Sequence, residues 1–203
     1  MNKKLNGAIL PRSKVTREER NTLYHLWESY YQNVDRAMFD EDFGEKDWVL
    51  TLKDSDGTIR GFTTMKFYEL EIFGKVIRAI FNGSTIIARD YWGEQELVHT
   101  WCRFMGELKR EEPEIPLYWY LIVSGFRTYM FLPLFFRKFY PNHATETPGF
   151  EKEIIDVLGK MKFPKEYRQG IVRVEEPREC LDLDPVSYTH LRAHETREDM
   201  GSR

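Results

Sequence analysis

Apolar residues in this chain follow two spacings, and the switches between them divide it into elements. Leu23, Leu26, Trp27 and Tyr30 recur at helical intervals after Thr16 and Glu19, which stand at capping-box spacing. A helix is therefore predicted from about Arg17 to Tyr31. Asp35 is a candidate cap for a second, shorter helix whose apolar positions are Met38, Phe39 and Phe43, ending near Gly44. Trp48 to Leu52 and Ile59 to Leu70 are rich in strand formers, and Asp54-Ser55-Asp56-Gly57 between them is a hairpin signal. A turn at Phe73-Gly74-Lys75 leads into Val76 to Ala88. Three antiparallel strands in a meander are expected.

Helical spacing returns near Trp92 or Gly93 and continues to about Arg110, with Leu97, Trp101, Phe104, Met105 and Leu108 as its apolar stripe. Pro113 and Pro116 close it. Leu117 to Val123 is a nearly continuous apolar and aromatic run, as in a strand covered on both faces. Tyr129 to Tyr140 reads as a helix with Pro133 in its first turn, Glu151 to Met161 as another, and Tyr167 to Val174 as a last strand. The whole is a mixed α/β architecture: a central, mostly antiparallel sheet with helices on both faces. Asn82-Gly83-Ser84-Thr85 interrupts a long strand and predicts a bulge facing a cleft, where the glycine permits close ligand approach.

Composition narrows the function classes. Lys and Arg number 30 against 33 Asp and Glu, a formal charge of −3, which gives no general attraction to nucleic acid. Only Cys102 and Cys180 are present, with no Cys-x-x-Cys pair, so neither a disulfide scaffold nor a zinc module is indicated and a reducing cytoplasm is expected. No apolar run approaches the roughly twenty residues of a membrane span. The stretch Val186 to Thr196 resembles translated adapter DNA of a sequencing library. Residues 1–184 are accordingly expected to form one domain and 185–203 a non-native read-through tail, in which the i,i+4 pair His190 and His194 has no metal role.

Strand, glycine turn, helix and strand between Val76 and Val123, preceded by two helices and two antiparallel strands, resemble the GCN5-related N-acetyltransferase (GNAT) superfamily. Its cofactor loop reads Val-x-Pro-x-Tyr-Arg-Gly-x-Gly-x-Gly or Ala, and Ile87 to Leu97 falls in the same register: Ile87, Tyr91 and Gly93 match, Trp92 replaces the basic residue, and Gln95 and Leu97 replace small ones. The resemblance implies acyl-coenzyme A as co-substrate, no metal, and an amine acceptor. It assigns the pyrophosphate to Trp92, Gly93, Glu94 and Gln95, and the pantetheine arm to the backbone of Thr85, Ile86 and Ile87. Glu94 and Glu96, expected in the first helical turn, would oppose the pyrophosphate. An acyl carrier protein is a variant donor.

The family's acid tyrosine aligns with Phe135, which has no proton to give. Tyr120, Tyr129 and Tyr140 are the substitutes within reach, each equally readable as a packing residue. Ser124 and Arg127, after the buried strand, suit a substrate carboxylate or phosphate, although Arg127 is also readable as a surface ion-pair partner. His99 and Cys102 share a helix face but lack a third group to make a nucleophile and base pair. A competing reading is a catalytically silent module that binds a small ligand or partner protein, with Phe131 to Tyr140 as the contact.

Overall fold

The computed structural model describes residues 4–122, 126–142, 144–173 and 180–181. Ser124 and the predicted tail, 185–203, lie outside them. In chain order the elements are β1 (Asn6–Pro11), α1 (Arg17–Glu28), β2 (Tyr31–Gln32), α2 (Arg36–Gly44), β3 (Trp48–Lys53), β4 (Ile59–Ile72), β5 (Lys75–Ile87), α3 (Glu96–Glu111), β6 (Leu117–Tyr120), α4 (Phe126–Phe135), α5 (Gly149–Lys162), β7 (Tyr167–Arg168), β8 (Ile171–Val172) and β9 (Cys180–Leu181).

Five strands form one sheet in the order β1-β3-β4-β5-β6. The first four are antiparallel neighbours, and only β5 and β6 run parallel. The expected meander is β3-β4-β5, turned by Gly57 and by the Phe73-Gly74 pair, all three with positive φ. On one face α3 covers Leu50, Leu52, Met65 and Ile80 with Leu97, Trp101, Phe104 and Leu108. On the other, α1 and α2 bury Leu23, Trp27, Phe39 and Phe43 against Val49, Phe62 and Ile86, and α5 lays Ile154 and Leu158 on Ile77 and Ala79. Each such side chain contributes about 1.5–3 kcal/mol through burial, so the two helical layers hold the sheet from both sides.

The caps form as their spacing predicts. The Thr16 hydroxyl accepts from the Glu19 N–H at 3.1 Å while the Thr16 N–H donates to the Glu19 carboxylate at 3.1 Å, and the Asp35 carboxylate accepts from the Met38 N–H at 2.8 Å.

Four local readings differ. Strand β1 has no sequence counterpart, because its apolar core is only Ala8-Ile9-Leu10 between Gly7 and Pro11. Helix α3 starts at Glu96 rather than near Gly93, because a short 3₁₀ turn at Arg89–Tyr91 and a φ of 99° at Gly93 occupy the intervening chain. Helix α4 spans Phe126–Phe135, which leaves Pro133 near its end instead of in its first turn. The expected last strand is a hairpin, β7 and β8, because Gln169 and Gly170 both have positive φ and fold the chain back.

Candidate functional site

The candidate site lies where two parallel strands stop pairing. Strands β5 and β6 pair from Arg78 with Leu117 to Phe81 with Tyr120. There β6 ends, while β5 continues for six residues to Ile87, still paired to β4 on its other edge. Between Thr63–Thr85 and Met65–Asn82 the β4–β5 register shifts by one residue, so Gly83 and Ser84 together face Thr64. This is the bulge that the Asn82 to Thr85 stretch predicts. A bulge bends the strand that carries it, and this one falls where the β5–β6 pairing stops.

A polar network fixes the parting. The Asn82 carbonyl oxygen accepts the indole N–H of Trp119 at 2.9 Å and of Trp101 at 3.1 Å, joining β6 and α3 to β5. Its amide donates to the Thr63 hydroxyl at 3.2 Å, which lies 2.8 Å from the Thr85 hydroxyl. The two indole rings are 5.0 Å apart, and the Phe136 ring lies tilted against Trp119 at 5.5 Å. One amide thus satisfies two tryptophans that would otherwise bury unpaired donors.

Beyond the bulge the Ala88 N–H donates to the Arg60 carbonyl on β4 at 2.7 Å. Because peptide groups alternate along a strand, those of Ile87 and Thr85 face the gap and that of Ile86 faces β4. The Ile86 side chain is buried under α1. At the outer end the Trp92 indole donates to the Ile87 carbonyl at 2.7 Å, and Gln95 donates to the Gly93 carbonyl at 3.1 Å. Glu94 precedes α3 instead of lying in its first turn. Glu96 is the first helical residue, but its carboxylate turns inward to the Gly7 N–H at 3.3 Å and the Thr100 hydroxyl at 2.9 Å, with Arg103 at 3.1 Å. Burial raises its pKa, and these partners outweigh burial to leave it below the ordinary value. Gly7 suits this approach: a β-carbon there would lie 2.1 Å from the Thr100 hydroxyl oxygen.

Of the three candidate tyrosines, Tyr120 stands at the parting point. Its ring packs 5.8 Å from that of Phe81, and burial pushes its pKa up to about 12. Tyr129, on α4, packs edge-on to Phe139 at 6.3 Å, and Tyr140 is half-buried in the following loop. Phe135 is 70% exposed beside Leu134 at 68%. Arg127 falls on α4 and Ser124 lies outside the described residues. His99 and Cys102 are exposed on α3.

Sequence reasoning missed Lys46. Its side chain is 1% exposed, with the ammonium on the Asp42 carboxylate at 2.5 Å and the Asp42 carbonyl at 2.9 Å. Burial holds its pKa below the usual lysine value, against the opposing pull of Asp42. The aliphatic stem fills the space that a side chain at position 83 would need: a β-carbon on Gly83 would sit 2.7 Å from Lys46 Cε and 2.5 Å from Thr64 Oγ1. Glycine at the bulge therefore admits a lysine from within the protein, where close approach of a ligand was expected. The run Gly44-Glu45-Lys46-Asp47 carries no apolar signal by which this burial could be read.

Fold and cleft together define a mixed α/β protein whose central sheet opens between its two parallel strands. No protein-family model matches this sequence, and no curated protein matches it. Many of the solved structures to which the chain is similar are GNAT-family N-acetyltransferases. A ribosomal-protein-alanine N-acetyltransferase of Brucella melitensis is 14% identical over 72% of this chain and 100% of its own, with a TM-score of 0.46. A GNAT family N-acetyltransferase of Escherichia coli, solved with coenzyme A, is 11% identical over 55% of this chain and 61% of its own, at 0.38. A probable N-acyltransferase of Enterococcus faecalis is 10% identical over 54% of this chain, at 0.42, and the chain spans only 28% of its length.

Proposed function

We propose that this protein transfers an acyl group from acyl-coenzyme A, or from an acyl carrier protein, to a small-molecule amine in the gap between β5 and β6. The observation that carries the reading is the outer edge of β5: after Phe81 it keeps β4 on one side and loses β6 on the other, so peptide groups of Thr85 and Ile87 face away from β4, the side on which an extended chain can pair. Thr85, Ile86 and Ile87 would line the pantetheine arm, and Trp92, Gly93, Glu94 and Gln95 the pyrophosphate end. In the transfer the amine nitrogen bonds to the thioester carbonyl carbon and gives up one proton, the C–S bond breaks, and the departing thiolate takes up one proton, so that the products are an amide and a thiol. Tyr120 is the candidate donor at the parting point.

Two features modify the family's arrangement. The Trp92 indole already occupies the Ile87 carbonyl, so an incoming arm binds the remaining edge or displaces the indole. Glu96 spends its charge on Gly7, Thr100 and Arg103, which leaves Glu94 as the acidic group that opposes a pyrophosphate.

The test is a thermal-shift panel of acetyl-, medium-chain and long-chain acyl-coenzyme A. A ligand at one hundred times its dissociation constant stabilises by about 2.7 kcal/mol, a shift of several degrees at this size. A saturable shift with one chain length supports the reading, and none with any donor removes it. The silent binding module is the second reading, favoured by the exposure of Leu134 at the end of α4. Acyl-coenzyme A that binds without turnover of any amine supports that alternative.

A further inference from the structure

Between Glu114 and Glu146 the chain carries no aspartate or glutamate, although the two types number 33 in all, and its fixed charges there are Arg127, Arg137 and Lys138. Aromatic residues crowd the same stretch, among them Phe131, Phe135, Phe136, Phe139 and Tyr140. Acid-free, basic and aromatic, it is biased toward an anionic surface.

The structure gathers this bias at one tip. Every residue from Pro133 to Lys138, across the end of α4 and the turn after it, is exposed. Leu134 is 68% and Phe135 70% exposed, and Phe136, whose ring lies against Trp119 at 5.5 Å, ties the tip to β6. A single exposed leucine is ordinary, whereas adjoining large apolar side chains left to water mark a contact surface. Arg137 and Lys138 make no ion pair and no hydrogen bond with any described residue. Their charge is not balanced by a carboxylate of the described fold.

Charge and depth decide the occupant. A second copy packed tip to tip would set Arg137 and Lys138 against the same cations, which is repulsive. An anionic bilayer offers phosphates at its surface and an apolar layer just beneath, and the tip presents a group for each. Helix α4 has 10 residues, and no described helix is long and apolar enough to cross a membrane, so the contact is with the surface.

We propose that the tip of α4 docks the protein on an anionic phospholipid surface, with Leu134 and Phe135 entering the acyl layer and Arg137 and Lys138 pairing with headgroup phosphates. The inference uses the tip alone and does not need the acyl-transfer reading. Docking brings Trp119, and with it the end of β6, close to the bilayer.

The full chain is co-sedimented with vesicles of phosphatidylcholine alone and of phosphatidylcholine mixed equally with phosphatidylglycerol, at low and at high salt. Saturable binding is expected to the anionic vesicles only, and it should fall as salt screens the cations. Arg137→Gln and Lys138→Gln should each weaken it about fivefold. Leu134→Ser combined with Phe135→Ser, at positions that bury little in the fold, should weaken it at least about tenfold with the melting midpoint unchanged. Phe73→Ser removes a side chain that is 72% exposed at the β4–β5 turn and should leave binding as it is. Absence of binding, equal binding to both vesicles, or a loss at Phe73→Ser as large as at the tip would overturn the proposal. Anionic binding that survives the Leu134 and Phe135 changes would give the cations to a soluble anionic partner and also overturn it, as would a dimer in sedimentation equilibrium that those changes dissolve.

Discussion

Lys46 carries a charge into the core through a segment that looks like solvent-facing linker. Removing it together with its charge is expected to cost little: replacement of a buried ionic group by an apolar side chain of similar volume is often neutral or stabilising by about 1–4 kcal/mol. Lys46→Met should therefore match or exceed the wild type in urea at pH 7. Asp42→Asn, which leaves the ammonium without its carboxylate, should lose about 1–3 kcal/mol. The pH dependence has a definite sign. Burial puts the folded pKa of Lys46 below its ordinary 10.5, so between the two values the unfolded chain binds more protons and stability rises with pH. The wild type should gain on Lys46→Met as pH approaches 10.5, and a constant difference across that range would refute the desolvation account.

At Tyr120 burial strengthens what an ordinary phenol already implies for the proposed transfer. With a pKa near 12 the phenol is a weaker acid than a thiol of about 8.5, so complete proton transfer to a departing thiolate is uphill. Tyr120 can still donate a hydrogen bond to it. Tyr120→Phe is then expected to lower kcat by about ten- to a hundredfold, the worth of one bond to a charged group, and not by the upper range of general acid catalysis. An unchanged kcat in an active enzyme would assign the residue to packing.

Among elements, the parting of β5 from β6 depends on a bulge and on the amide beneath it. Asn82→Ala leaves the indole N–H groups of Trp101 and Trp119 without their acceptor and is expected to cost about 1–3 kcal/mol for each that stays dry. Chemical denaturation measures the loss, and tryptophan fluorescence should shift as water reaches the rings. Asn82→Asp keeps the accepting oxygen and should recover part of it. The bulge itself was legible, since Asn-Gly-Ser inside a β-branched strand has few other uses. The network was not, because nothing in the spacing of Thr63, Asn82, Trp101 and Trp119 says that three strands and a helix bring them to one point. Strand β1 was hidden for a related reason. Its place is set by pairing with β3 and by the seat of Gly7 against Thr100, and both partners are remote in sequence.

For the whole molecule, one further expectation concerns the chain end. Leu181 pairs with Tyr31 in the short β2–β9 ladder, so a chain that stops at Asp184 keeps every strand in the order above. Truncation there should move the melting midpoint by less than about 2 °C, under what 1 kcal/mol is worth at this size. A drop of several degrees would return residues 185–203 to the fold.

Periodicity, caps and turn residues determined by themselves the kind and order of most elements, because those signals act within a few residues of the chain. They also placed a glycine at a bulge beside a cleft. Only the tertiary structure decided what meets there: that Gly83 makes room for Lys46, that Glu96 turns back to Gly7, and that Phe136 packs on Trp119 while Leu134 and Phe135 stay exposed. Burial and charge pairing are set by residues distant in sequence, so local spacing carries no record of them.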